Sequence, residues 1–265
     1  MDEPGGRKIH PESTPRGAGI VLWLGYMIVA LFFGGSEPAF RFTATGATIV
    51  FFAGYIDDMH PLPSIWRLSV HLAAAVLVVA VTDLDLPMRL VLLLWIAGCT
   101  NAFNLIDGLN GLSISLASVT AVAGFAATGR IWWVFLFCLA MGALYWNYPR
   151  ARTFLGDGGS TLLGFLVSAQ FALSFPADTG GTVPVAQYLV ALVCLGGVPV
   201  VDTLYSMFRR ILRGQSPFSP DRGHIHHILL AQKLPQSAIL LILVSAQALM
   251  AGIALFLPGS PFYMP

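Results

Sequence analysis

Apolar runs of membrane-spanning length, separated by short polar stretches, set the pattern of this chain. With about 20 residues needed to cross a hydrocarbon core, nine segments fall near 18–35, 42–56, 68–84, 89–106, 112–129, 131–147, 160–176, 185–208 and 237–257. Backbone polar groups cannot face lipid unpaired, so each segment is predicted to be a helix. The second and fourth are short or run into polar residues, which leaves their ends least defined. Pro184 and Pro199 bracket part of the eighth, where a kink or break is predicted. No internal repeat and no long linker divides the chain, so residues 1–265 read as a single domain. The expected fold class is all-α, an integral membrane, polytopic bundle of about nine transmembrane helices.

Five polar stretches, 1–17, 57–67, 101–111, 148–159 and 209–236, are each separated from the next by two crossings and therefore share one membrane face. That face holds Arg7, Lys8, Arg16, Arg67, Arg150, Arg152, Arg209, Arg210, Arg213, Arg222 and Lys233, against Arg41, Arg89 and Arg130 on the other. Basic residues concentrate on the cytoplasmic side, so the five stretches are expected there. Met1 to Lys8 is polar and predicts no signal peptide.

Composition agrees: 56% of residues are hydrophobic and 10% charged, too few ionic groups to cover a water-facing surface. A net charge of +1 without blocks of one sign excludes a nucleic-acid tail. Cys99, Cys138 and Cys194 stand singly among apolar residues and read as small core hydrophobes rather than disulfide or metal partners.

The candidate chemistry lies in the five shared stretches. Asp57 and Asp58 close the second span, where paired carboxylates are costly beside lipid and point to function; Arg67 follows. Asn101, Asn104, Asp107 and Asn110 recur every third residue and would form a polar spiral on a helix, with Gly108 and Gly111 allowing close approach. Asn and Gly also serve as contacts between membrane helices, which accounts for them but not for Asp107. In Phe154-Leu155-Gly156-Asp157-Gly158-Gly159-Ser160, a carboxylate among glycines predicts a tight turn with Ser160 as a helix N-cap. Such a turn can hold phosphate oxygens on backbone N–H groups while Asp157 holds a divalent cation. The last stretch carries Asp221-Arg222-Gly223-His224-Ile225-His226-His227. No cysteine lies near these histidines and the other ligands are carboxylates, so a pyrophosphate-binding role fits better than zinc. Arg209, Arg210 and Arg213 read as anchors to anionic lipid. Carboxylates for a cation plus basic groups for phosphate suit phosphoryl chemistry at a membrane face.

These motifs resemble, in order and over nearly the whole chain, the polyprenyl-phosphate N-acetylhexosamine-1-phosphate transferases (glycosyltransferase family 4), and the WecA-like branch more than its phospho-N-acetylmuramoyl-pentapeptide transferase (MraY) relatives. The resemblance runs from Asp2–His10 and Thr14–Gly17 through Asp57-Asp58 with Arg67, Asn101–Gly111, Asn147-Tyr148-Pro149 and Phe154–Ser160 to Asp221–His227. It implies a Mg²⁺ enzyme, with Mn²⁺ as the alternative cofactor, in the bacterial cytoplasmic (inner) membrane with its active site facing the cytoplasm. The substrates implied are a UDP-sugar, UDP-N-acetylglucosamine or a relative, and undecaprenyl phosphate. The products are UMP and the lipid diphosphate sugar that initiates a cell-envelope polysaccharide. Asp57 would be the base or organiser for the lipid phosphate, with help from Asp58; Asp157 would be the main metal ligand, with Asp107 close to the metal or diphosphate. Asn104, Asn147 and Phe154 would contact the nucleotide, Phe154 by stacking on uracil. Arg222, His224, His226 and His227 would grip the diphosphate. Lys8, Arg67 and Asn110 complete the substrate-binding set. Membrane lipid is the other implied partner, with no nucleic acid and with homodimerisation left open.

Three departures qualify the resemblance. Asn110 stands where many relatives have Asp; the stretch after Asp58 has no lysine; and a span precedes the segment around Arg7-Lys8 in the family. A late-assigned start, with one span missing, is the expectation, and a natural nine-span form the alternative. The rival readings are a pentapeptide transferase, an inactive scaffold paralogue, a transporter and a CDP-alcohol phosphotransferase. A transporter predicts mid-membrane charges and inverted repeats, neither of which is seen. The Ala-Arg that follows Asp-Gly in the CDP-alcohol enzymes, and their later spaced Asp residues, are also missing.

Overall fold

The computed structural model describes residues 14–35, 38–174, 185–217, 223–256 and 262. Among them, ten α-helices follow one another: α1 (Ala18–Phe33), α2 (Pro38–Met59), α3 (Ser64–Val79), α4 (Leu86–Ile106), α5 (Leu112–Thr128), α6 (Ile131–Asn147), α7 (Gly156–Ser174), α8 (Val185–Leu212), α9 (Ile225–Ala231) and α10 (Gln236–Phe256). Nine coincide with the predicted apolar segments; the seven-residue α9 lies in the last polar stretch. Local signals explain several ends. Asp85 caps α4 by accepting from the Met88 N–H at 3.0 Å, with Pro87 in the first turn. Gly111 and Gly129 bound α5, both left-handed, at φ 76° and 63°.

By length and composition, α2, α4, α8 and α10 can each cross a membrane, and α1, α3, α5 and α6 are shorter apolar helices. Large apolar side chains stay on the outside, among them Leu31 (78% exposed), Phe32 (74%) and Leu249 (67%). An outer surface of this kind suits lipid and not water. Helix α7 differs from all of these: fifteen of its nineteen residues are buried. It occupies the centre, packed against α1, α2, α4 and α5. Close approach is made by glycines: Gly54 of α2 lies on the Asp157–Gly158 backbone, and Gly164 of α7 lies on Cys99 and Thr100 of α4. Small residues let membrane helices approach at backbone distance.

Helix α8 is broken, as Pro199 predicted, and the break centres on Gly197 (φ 61°, ψ −144°). The Val198 N–H freed there donates to Gln247 Oε1 of α10 at 2.8 Å, while Gln247 Nε2 donates to Thr120 Oγ1 of α5 at 2.9 Å. A fully buried amide thus satisfies the interrupted backbone.

The structure corrects four expectations. Helix α2 runs on to Met59, so Asp57 and Asp58 sit in its last turn rather than beyond it. The polar spiral stops at Ile106: Asp107 is the C-cap of α4, and Asn110 lies in the following turn, off the helix. Gly108 and Gly111 favour that turn over a continued helix. Ser160 is not an N-cap, because α7 already starts at Gly156 (φ 69°) and Ser160 Oγ donates back to the Gly156 carbonyl at 3.0 Å. Cys99 is buried as expected and none of the three cysteines is in a disulfide, but Cys138 is exposed on α6.

Candidate active site

The ends of α2, α4 and α7 bring four carboxylates together, and among the described residues arginines pair with two of them. Asp57 is buried and accepts from Arg67 Nη1 at 3.0 Å and from the Leu62 N–H at 2.5 Å. Arg67 reaches it from the first turn of α3. Asp58 accepts from Arg16 Nη1 at 2.7 Å and from the Gly158 N–H at 3.3 Å. That second bond aims an unpaired amide at the start of α7 toward a carboxylate. Asp157 lies close enough to Asp57, Asp58 and Asn104 to interact with all three. Asp107 accepts from Ser113 Oγ at 2.5 Å. Among the described residues, Asp107 and Asp157 have no salt bridge.

Burial pushes Asp107 up to about 7; Asp157 and Asp58 add repulsion, and the Ser113 hydroxyl opposes the rise. The approach of Asp57 to Asp157 makes the same point. Two carboxylates brought together need a shared proton or a cation between them. The donors are all oxygen, which suits a hard cation such as Mg²⁺ or Mn²⁺. Among the described residues, no three His, Cys, Asp or Glu side chains form a metal-holding group. Mg²⁺ commonly takes one or two carboxylates and completes its shell with phosphate oxygens and water.

Around this centre, Asn104 Nδ2 donates to Ser160 Oγ at 3.1 Å, tying α4 to α7. Asn147 is buried and committed to backbone: its Oδ1 accepts from the Gly111 N–H at 2.5 Å and its Nδ2 donates to the Thr153 carbonyl at 2.9 Å. Its place is therefore that of a brace between two loops. Asn110 Nδ2 donates to the Pro149 carbonyl at 3.3 Å, off the carboxylate cluster. Phe154 is half-buried; its N–H donates to the Pro15 carbonyl and its own carbonyl accepts from Ala18 N–H, which docks the segment before α1 onto this loop. The same docking delivers Arg16 to Asp58.

The histidines approach from α9. His226 is buried, and its ring lies against Gly108, beside Asp107. Burial pulls it down to about 3, with repulsion from His227 and His224 and an opposing pull from Asp202. His226 is thus neutral at pH 7 and offers a hydrogen bond rather than a charge. His224 is buried, its Nδ1 bonded to Asp202 Oδ2 at 2.7 Å, and His227 is exposed. Lys8 and Arg222 lie outside the described residues.

Sequence reasoning missed Arg16 as the partner of Asp58, and missed Asp202 and Gln247 altogether. A carboxylate and an amide inside spanning segments are costly in lipid, and that cost was the available signal.

An apolar-skinned helical bundle with a charged, largely buried cluster at one end is a multi-pass membrane protein built to handle polar substrates at that end. The chain belongs to glycosyl transferase family 4, whose model matches residues 40–174, a stretch containing all four clustered carboxylates. It is 31% identical over 256 residues to the probable undecaprenyl-phosphate N-acetylglucosaminyl 1-phosphate transferase of Bacillus subtilis (strain 168), covering 87% of this chain and 70% of that protein. It is 30% identical to undecaprenyl-phosphate alpha-N-acetylglucosaminyl 1-phosphate transferases of Salmonella typhi (99% of this chain, 77% of that one) and Thermotoga maritima (92% and 77%).

Proposed function

We propose that this protein transfers N-acetylglucosamine 1-phosphate, or a close N-acetylhexosamine relative, from its UDP-sugar to undecaprenyl phosphate, releasing UMP. The observation that carries the reading is the cluster of Asp57, Asp58, Asp107 and Asp157, in which Arg67 and Arg16 balance two carboxylates. The other two are left for a cation and the diphosphate it accompanies. The names of the three relatives support the lipid acceptor and the sugar.

A lipid phosphate oxygen attacks the β-phosphorus of the nucleotide sugar. The new P–O bond forms as the bond to the bridging oxygen breaks, and UMP leaves with that electron pair. The lipid phosphate is already ionised near neutral pH, so a base is not essential. Asp57, held by Arg67, would order the acceptor, and the Arg16–Asp58 pair would keep the start of α7 in place. Mg²⁺, held by Asp107 and Asp157, would neutralise charge on the reacting phosphates. Neutral His226 and its neighbours would contribute hydrogen bonds on the donor side. The arrangement belongs at the cytoplasmic face of the inner membrane, on the side where basic residues collect.

The test is UMP release from membranes carrying the protein, supplied with undecaprenyl phosphate, Mg²⁺ and a panel of UDP-N-acetylhexosamines, with Asp157→Asn as control. UMP formed with one small sugar and lost in the variant supports the reading. Release only with the muramoyl-pentapeptide donor would assign the pentapeptide transferase reaction instead, and no release from inserted protein would support the scaffold.

A further inference from the structure

One buried carboxylate stands apart from the cluster and has no part in the transfer as described. Asp202 lies on the second half of α8, past the break at Gly197, and is 7% exposed. Its Oδ2 is bonded to His224 Nδ1 at 2.7 Å, and its Oδ1 accepts from the Ile225 backbone N–H at 2.8 Å. Both oxygens are therefore spent on one short stretch of the last polar loop. His224 is itself 4% exposed, so the pair is shielded from water. The neighbouring ring of His226 runs nearly parallel to it, 6.1 Å away at 14°, and His226 rests on Gly108 next to Asp107. The two imidazoles thus lie between α8 and the Gly108 turn that follows Asp107.

We propose that Asp202 is a positioning residue for the donor side of the reaction. It fixes the His224 ring and the start of the His224–His227 segment so that His224 presents Nε2 to the phosphates of the nucleotide sugar. An ionised carboxylate only accepts, so it selects the His224 form with a proton on Nδ1. The Ile225 bond fixes the backbone on which both rings ride. Gln247, by holding the break in α8, sets the direction in which Asp202 is carried. This inference rests on the transfer reading above and gives the His segment a defined support within it.

The test compares wild type, Asp202→Asn, His224→Gln and the double variant as full-length protein in native membranes, using UDP-N-acetylglucosamine and undecaprenyl phosphate. Asp202→Asn keeps shape and volume but offers an amide in place of one oxygen. The expected result is a fall in kcat/KM of about 10²-fold, the usual consequence of a reacting-site contact displaced by about 1 Å. The KM for the nucleotide sugar should rise while that for the lipid phosphate stays within about twofold. In the His224→Gln background, adding Asp202→Asn should cost less than about threefold more, because coupled residues are not additive. Wild-type kinetics for Asp202→Asn, equal rises in both KM values, or a double variant as poor as the product of the singles would each overturn the proposal. Hydrogen exchange of peptides spanning residues 223–231, measured without substrate, gives a readout independent of turnover. Exchange there should quicken in Asp202→Asn, and an unchanged rate refutes the positioning contact. If wild type releases no UMP, the transfer reading fails, and the exchange result decides the contact by itself.

Discussion

The closest helix contact in the site offers the sharpest test of how it is built. Gly54 lies one turn before Asp57 on α2, and a Cβ placed on it would stand 2.6 Å from the Asp157 carbonyl oxygen and 2.7 Å from both the Asp157 carbonyl carbon and Gly158 Cα. All three are backbone atoms, so no side chain can swing aside. Restoring an ordinary contact of 3.4 Å requires α2 and α7 to separate by roughly 0.7–0.8 Å at this point. Gly54→Ala therefore moves Asp57 and Asp58 relative to Asp157 without touching any of them. Overpacking of this kind costs about 1–3 kcal/mol, and alanine returns up to about 1 kcal/mol through helix propensity. Net stability should thus fall by no more than about 3 kcal/mol. Activity is more exposed, since misplacing reacting groups by about 1 Å costs about 10²-fold. The assay is UMP release by membranes carrying Gly54→Ala and, as control, Gly142→Ala, where a Cβ meets nothing within 4 Å. Gly54→Ala should lose one to two orders of magnitude in kcat with the protein still folded, and Gly142→Ala should lose nothing. A fully active Gly54→Ala would refute the claim that α2 and α7 hold the carboxylates at fixed spacing.

Three further outcomes follow from the same geometry. Asp107 holds its proton up to about pH 7 in the folded protein but only to its ordinary value of 3.8 when unfolded. The folded state therefore binds the extra proton between these limits, and stability from this group falls as pH rises through them; Asp107→Asn should raise the melting temperature at pH 8 in chelator but not at pH 4, and an equal shift at both would contradict the assignment. Arg67→Gln leaves Asp57 buried without its cation and should cost about 2 kcal/mol after allowance for Arg67's partial exposure, read from thermal melts, together with most of the UMP release. Gln247→Leu strands the Val198 N–H inside the bundle and should cost about 1–3 kcal/mol, whereas a melting temperature equal to wild type would mean the break in α8 needs no such support.

What the sequence revealed tracks how local each signal was. Spans were legible because lipid demands long apolar runs, and the carboxylate centre because Asp57, Asp58, Asp107 and Asp157 fall in stretches separated by paired crossings. Helix ends were less so: apolarity fades before Asp57, yet the backbone keeps its helical bonds to Met59. Roles that depend on a distant partner were hidden. Asp202 stands alone within span eight, and only the fold brings it to His224; Gln247 gains its meaning from a break in another helix. The family resemblance suggested Asn147 as a nucleotide contact, and nothing nearby in the sequence announces its bonds to Gly111 and Thr153.

The buried setting of α7 has a consequence for reading topology in proteins of this kind. A helix that never meets lipid has no need to be strongly apolar, and α7 carries Asp157, Ser160, Thr161, Ser168 and Gln170 along its length. Among the described helices it is absent from both the long apolar set and the shorter one. Its apolar run at 160–176 still betrays it, but were those polar residues to hide it, one skipped crossing would reverse the parity of everything downstream. The histidine segment would then be assigned to the opposite side of the bilayer from Asp57 and Asp107. The seat of His226 on Gly108 forbids that assignment, so a single ring-to-backbone contact keeps the histidine segment on the same side as Asp107.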